Sequence, residues 1–232
     1  MRIPSFVLTL MAALLILTGS SSAQTPAATP ASGPLMQATL DQTAPDNLAT
    51  IGITRTIFET GGTLRVVTGT GPAISWVESG EVTLVPDAEA PQPIIVRADA
   101  TPDSGTNGSE FVVVEGDGFV LAPGTTATLR NNGPEPAVVL DLVSAPDTVR
   151  ELGDGVSQVV VMSTEATLPA APVMVTFSLV TLDPGGHLTL PPEPAVSIYA
   201  AVDKSKIIQV SGNGFNRATE PIDVYILTIA PA

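Results

Sequence analysis

The chain has 232 residues, 44% apolar and 14% charged side chains, 23 acidic against 9 basic residues, and a formal charge of −14 at neutral pH. Such an acidic chain repels nucleic acid and anionic lipid, which excludes both as expected partners. The absence of cysteine excludes a disulfide scaffold, so stability must come from a buried core, and the length suffices for one large or two small domains.

Arg2 precedes an apolar run, "FVLTLMAALLIL", which passes into small polar residues ending "SSAQ". That order predicts a secretory signal peptide over residues 1–23, cleaved after Ala23, and places the mature protein in a secreted or extracytoplasmic compartment. The run is short for the roughly 30 Å of a hydrocarbon core, so no stable membrane span is expected after cleavage, with a retained anchor as the alternative. Cleavage removes Arg2 and no acid, leaving the mature chain more acidic still. Residues 24–34, "QTPAATPASGP", cannot bury enough apolar surface to order themselves and read as a flexible linker.

Short runs rich in Val, Ile, Leu and Thr follow, separated by turn residues, among them "LATIGITRTIFE", "TLRVVT", "AISWVE", "EVTLV", "PIIVRA", "EFVVVE", "GFVLA", "TATLRN" and "AVVLDLVSA". They predict an all-β domain over residues 35–150. Between them the polar loop from Asp99 to Glu110 carries three acids without the alternate spacing of a calcium loop, and Asn107–Ser109 is a formal glycosylation sequon. "APDTVRELGDG" is the one stretch with room for a helical turn or two.

A second, shorter β unit is expected over residues 151–232, from "SQVVVMST", "VMVTFSLVTLD", "HLTL", "VSIYAAV", "KIIQVSG" and "DVYILTIA". It partly repeats the first. "TRTIFETGGTLRV" resembles "FSLVTLDPGGHLTL", and "AISWVESGEVTLV" resembles "AVSIYAAVDKSKIIQV", in nearly constant register. The second unit is either a degenerate repeat or the completion of the first barrel.

"GGTLRVVTGTGPAISWVESG" keeps a glycine frame through Gly61, Gly69 and Gly80, and "GDGFVLAPGTTATLRN" supplies Gly116, Pro123, Gly124 and Asn131. This resembles the two motifs of the cupin superfamily, G-x5-H-x-H-x3-E-x6-G and G-x5-P-x-G-x2-H-x3-N. The second match has one extra residue before Pro123 and none between Pro123 and Gly124. The resemblance implies a cupin-like double-stranded β-helix (jelly roll), duplicated in the manner of a bicupin if the repeat is real. It also implies that the positions of the family's metal ligands hold Val67, Gly69, Ala73 and Ala127, none of which carries a donor atom. In the second unit the same frame, starting at Gly185, puts Pro191, Glu193 and Ser197 at ligand positions. The resemblance therefore implies a degenerate cupin with no metal and no other cofactor.

A binding or structural role needs less than catalysis. If alternation runs unbroken from Val67 to Ala73, Arg65, Val67, Ala73 and Ser75 share an inward face with Ala127 and Leu129 across the barrel, and these six are the expected pocket-lining residues. Arg65 would then anchor an anionic group, the alternative being an outward Arg65 and a filled core. Trp76 falls on the opposite face, as a contact surface, a sugar platform or a residue under a loop. The expected partner is an unidentified small molecule or protein, and unpaired strand edges leave a homodimer open. An enzyme is the alternative, using carboxylates or a weak metal site near His187 and Glu193. Against it, His187 is the only imidazole, no G-x-S-x-G elbow occurs and no phosphate-cradling motif is present.

Overall fold

The computed structural model describes residues 34–98, 102–103 (backbone), 110–189, 191, 194–202 and 216–232. The expected leader and most of the linker, the sequon, Glu193 and the strand expected at "KIIQVSG" lie outside the described residues. Among the described residues there is no helix, and hence none long and apolar enough to cross a membrane.

Two facing antiparallel sheets build the barrel. One contains β3 (Thr63–Val67), β5 (Glu81–Pro86), β8 (Phe111–Val114) and β10 (Thr126–Arg130), in the order β3-β10-β5-β8. The other contains β2 (Leu48–Phe58), β4 (Ala73–Ser79), β9 (Gly118–Leu121) and β11 (Ala137–Ser144), in the order β2-β11-β4-β9. These paired four-strand orders are those of a double-stranded β-helix, the jelly roll that the glycine frame implies. β6 (Ile94–Val96) and β7 (Pro102–Asp103) extend the second sheet beyond β9.

Alternation fills the space between the sheets with Phe58, Leu64, Val66, Val77, Leu84, Phe111, Phe119, Leu121, Ala127 and Leu129, all buried. The opposite face of the second sheet is also covered. There Ile51, Ile53, Ile74, Trp76, Leu140 and Leu142 pack against a third sheet of β1 (Met36–Leu40), β14 (Val173–Leu182), β16 (Ile222–Pro231) and β15 (Val196–Ala201). The fold therefore has three layers with the longest sheet in the middle. Burial on both faces is why β4 reads as the near-continuous apolar run "AISWV". Trp76 is neither a platform nor under a loop. It packs on Phe177 and Tyr225 of the third sheet, with ring centroids 5.4 and 6.3 Å apart, and donates from Nε1 to the Gly116 carbonyl at 3.0 Å.

The chain does not divide at residue 150 into two separately paired sets of strands. The stretch expected to allow a helical turn is instead β12 (Val149–Leu152), paired with β3, and β13 (Val156–Thr167) pairs with β2 along its whole length. After a tight turn from Ala145 to Thr148, residues 149–152 complete the edge of the first sheet, which rewards extension over helix. β1, which the strand reading missed, pairs in return with β14, from Met36 opposite Phe177 to Leu40 opposite Val173. Each unit thus lends the strand preceding its main strand to the other's sheet. Among the described residues of "HLTL", His187 alone forms a bridge.

The internal repeat is visible in hydrogen bonds. Asn131 exchanges backbone bonds with Gly61 and Gly62, donates from its side chain to the Phe58 and Glu135 carbonyls, and accepts from the Gly133 amide. Asn216 does the same with Gly185, Gly186, Leu182, Glu220 and Ala218. Gly61 and Gly185 both turn with φ near the left-handed region, at 79° and 78°, which is open to glycine and costly for other residues. The two clasps read N-x3-E-P in sequence, "NNGPEP" and "NRATEP". Through them β2-β11-β4 corresponds to β14-β16-β15, so the third sheet is an abbreviated copy of the middle one.

Candidate functional site

The six residues expected to line a pocket do not share one. Ala73, Ala127 and Leu129 face inward but are packed into the barrel core. Arg65 and Val67 lie on the outer side of β3, whose inward residues are Leu64 and Val66. Arg65 is half exposed between Asp87 and Glu151, at 3.7 and 3.9 Å. The reason is that β3 ends at Val67 and β4 begins at Ala73. Alternation is preserved only within an unbroken strand, and the intervening turn resets it.

The turn that follows β3 is held by side-chain hydrogen bonds. Thr68 is buried and donates to the Ala122 carbonyl at 2.7 Å, while its oxygen accepts from the Thr125 amide at 2.7 Å, joining the end of β3 to the start of β10. A Cβ at Gly69 would collide with the Asp147 carboxylate, which accepts from the Thr70 amide at 2.9 Å on the exposed surface. Val67 lies on the outer side of β3 while Ala73 and Ala127 lie in the barrel core, and none of the three carries a donor atom. Among the described residues no three His, Cys, Asp or Glu side chains converge. His187 precedes Leu188, which packs with Val180 and Tyr199 of the third sheet. In the acidic loop, Glu110 is paired with Arg130 at 2.7 Å.

Ser75 leads to the polar part of the barrel. Its hydroxyl donates to Asp141 Oδ1 at 2.8 Å, and Thr56 donates to Asp141 Oδ2 at 3.0 Å. Arg150 of β12 approaches the same oxygen with Nε at 3.3 Å, and Gln158 donates to Thr56 at 2.9 Å. The Asp141 and Arg150 side chains are only 11% and 17% exposed, yet Arg150 Nε finds no hydrogen-bond acceptor.

Beside this cluster a cavity of about 160 Å³ opens between β2, β11, β12 and β13, lined by Thr50, Thr54, Ser144, Arg150, Gln158 and Ser163 among others. Hydroxyls, a carboxamide and a charge-balanced Asp–Arg pair suit a small polar molecule. The lining contains no imidazole. Of the cluster, the sequence reading named only Ser75. The available signal was Asp141, a charged residue in the middle of the apolar run "AVVLDLVSA".

By its strand orders the barrel is a double-stranded β-helix, a jelly roll. No protein-family model matches the chain, and no curated protein matches it by sequence. Among solved structures it is similar to the 11S allergen from Cocos nucifera L., with 11% identity over 90% of this chain and 84% of that one and a TM-score of 0.40. It is likewise similar to recombinant pro-11S globulin of pumpkin, with 11% identity, 90% and 83% coverage and a TM-score of 0.41. The protein YhaK from Escherichia coli gives 12% identity, 88% and 100% coverage and a TM-score of 0.36. These likenesses are distant, and the jelly-roll assignment rests on the strand orders.

Proposed function

We propose that this chain is an exported, degenerate cupin that works without a metal as a binding or structural module of the envelope or extracellular space. The observation that carries the reading is the interior of the barrel. The positions that the glycine frame assigns to ligands are donor-free, and Phe58 and Phe119 are buried in the core between the two sheets. A barrel retained with a packed interior serves through its surfaces and peripheral cavities. The leader-like segment before the first strand supports export. The cavity at Arg150 and Asp141 supports binding of a small polar molecule with an acceptor group for the guanidinium.

Two measurements test this. Intact-mass analysis of the protein recovered from its host is expected to show loss of residues 1–23, and an uncleaved cytoplasmic product would oppose export. A thermal-shift panel of small carboxylic acids and polyols is expected to give a stabilising ligand whose effect disappears in Arg150→Met. A panel with no dependence on Arg150 would leave the structural role as the surviving half of the proposal.

A further inference from the structure

A second cavity, of about 150 Å³, lies outside the barrel between the middle and third sheets. Its floor is a charged trio: the Arg55 guanidinium is ion-paired with Glu78, and the Tyr225 hydroxyl donates to Glu78 Oε1 at 3.0 Å. Its walls are aliphatic, including Ile57, Leu140 and Ala200. β13 forms the lip. Its pairing with β2 slips between Val160 and Met162, and this bulge brings Val159, Val160 and Val161 all to the cavity. Val159 and Val160 are 54% and 61% exposed, an apolar rim on an edge strand.

The trio defines what the cleft accepts. Arg55 and Glu78 cancel in charge, and burial followed by the Glu78 charge holds the Tyr225 phenol well above its ordinary 10.0, so the floor is neutral overall at physiological pH. A carboxylate ligand would add a net negative charge in an apolar cleft beside Glu78, which is unfavourable. Arg55 nevertheless lines the cleft, and its guanidinium has more N–H donors than its bond to Glu78 uses. The unmet need is for a neutral acceptor on an apolar body.

We propose that this cleft is a binding site for a small uncharged apolar molecule bearing one carbonyl-type oxygen, which seats its hydrocarbon against β13 and β15 and its oxygen toward the free side of Arg55. A cavity near 150 Å³ is roughly the size that admits one benzene-sized ring. The site lies on the opposite face of β2 from the polar cavity at Arg150, and the two share only Val160 among their lining residues.

Calorimetric titration of the full-length protein with cyclohexanone, cyclohexane and cyclohexanecarboxylate separates the alternatives. The ketone is expected to bind saturably at one site per chain, and the hydrocarbon and the carboxylate roughly tenfold more weakly, the worth of one hydrogen bond to a charged donor. Ala200→Leu, which fills the cleft, is expected to abolish all three. The charge-neutral pair Arg55→Met with Glu78→Gln keeps the floor uncharged and is expected to reduce the ketone to the level of the hydrocarbon. Absence of saturable ketone binding, equal binding of the three probes, or binding unchanged by both variants would each overturn the proposal.

Discussion

Asn131 and Asn216 occupy the same place in two copies of one clasp: each bonds a Gly-Gly turn through its backbone and two carbonyls and an amide through its carboxamide. They are 0% and 1% exposed, so water cannot replace what either side chain provides. Losing the side chain strands buried polar groups at about 1–3 kcal/mol each, partly relieved by relaxation. Asn131→Ala and Asn216→Ala are each expected to cost about 3 kcal/mol in urea unfolding. A loss below about 0.5 kcal/mol, the range of ordinary surface substitutions, would contradict the clasp.

The Arg55–Glu78 pair spans β2 and β4 at the interface with the third sheet, with side chains only 20% and 14% exposed. Removing one partner of a buried pair costs about 3–5 kcal/mol because the other is left charged and unpaired. Arg55→Met alone is therefore expected to destabilise by about that amount, and adding Glu78→Gln to recover most of it. Additive losses would show that the two side chains do not act as a unit.

Tyr225 gives the alkaline limit. Burial, then the Glu78 charge, then the bond to that carboxylate raise the folded phenol above 10.0, while the unfolded phenol ionises near its ordinary value. The native state thus holds a proton that the unfolded state releases. The contribution is complete below pH 10 and is lost as pH rises toward the folded value, at up to about 1.4 kcal/mol per pH unit. Burial shifts Tyr199 in the same direction. Tyr225→Phe is expected to lower stability at neutral pH through the lost bond to Glu78, yet to flatten its decline above pH 10. Denaturant midpoints across pH 8–12 measure both, and a decline as steep as in the parent would contradict the assignment.

At the polar end of the barrel, Ser75→Ala removes one of the donors to Asp141 and is expected to cost about 1 kcal/mol. Asp141→Ala removes the acceptor for Ser75 and Thr56 and the ion-pair partner of Arg150, and is expected to cost about 3 kcal/mol or more. Chemical denaturation of the two variants tests the order. Equal costs would mean that Arg150 does not depend on Asp141.

The turns of the barrel were legible because Gly61 marks a backbone conformation that glycine adopts readily. The strands from β2 to β5 and β8 to β11 were legible from alternation and composition. The facing of Arg65 and Val67 was not, since parity does not carry across the turn from Thr68 to Pro72. Nor was β1, whose five residues pair with a strand more than a hundred positions away. Such pairing leaves no local trace. The buried charges Arg55, Glu78 and Asp141 were visible as interruptions of apolar runs, but their partners come from other strands and had to be seen in space.

The central claim is the proposal that this jelly-roll barrel, whose glycine frame resembles that of cupins, holds no transition metal. Elemental analysis of the full-length protein, purified without chelator and again after incubation with zinc, iron, manganese and nickel salts followed by desalting, tests it most directly. The account predicts less than about one-tenth of an equivalent of any of them per chain, because Val67, Gly69, Ala73 and Ala127 offer no imidazole, thiolate or carboxylate. Retention of about one equivalent of any of these metals, in a converged donor set of the kind such ions require, would contradict it.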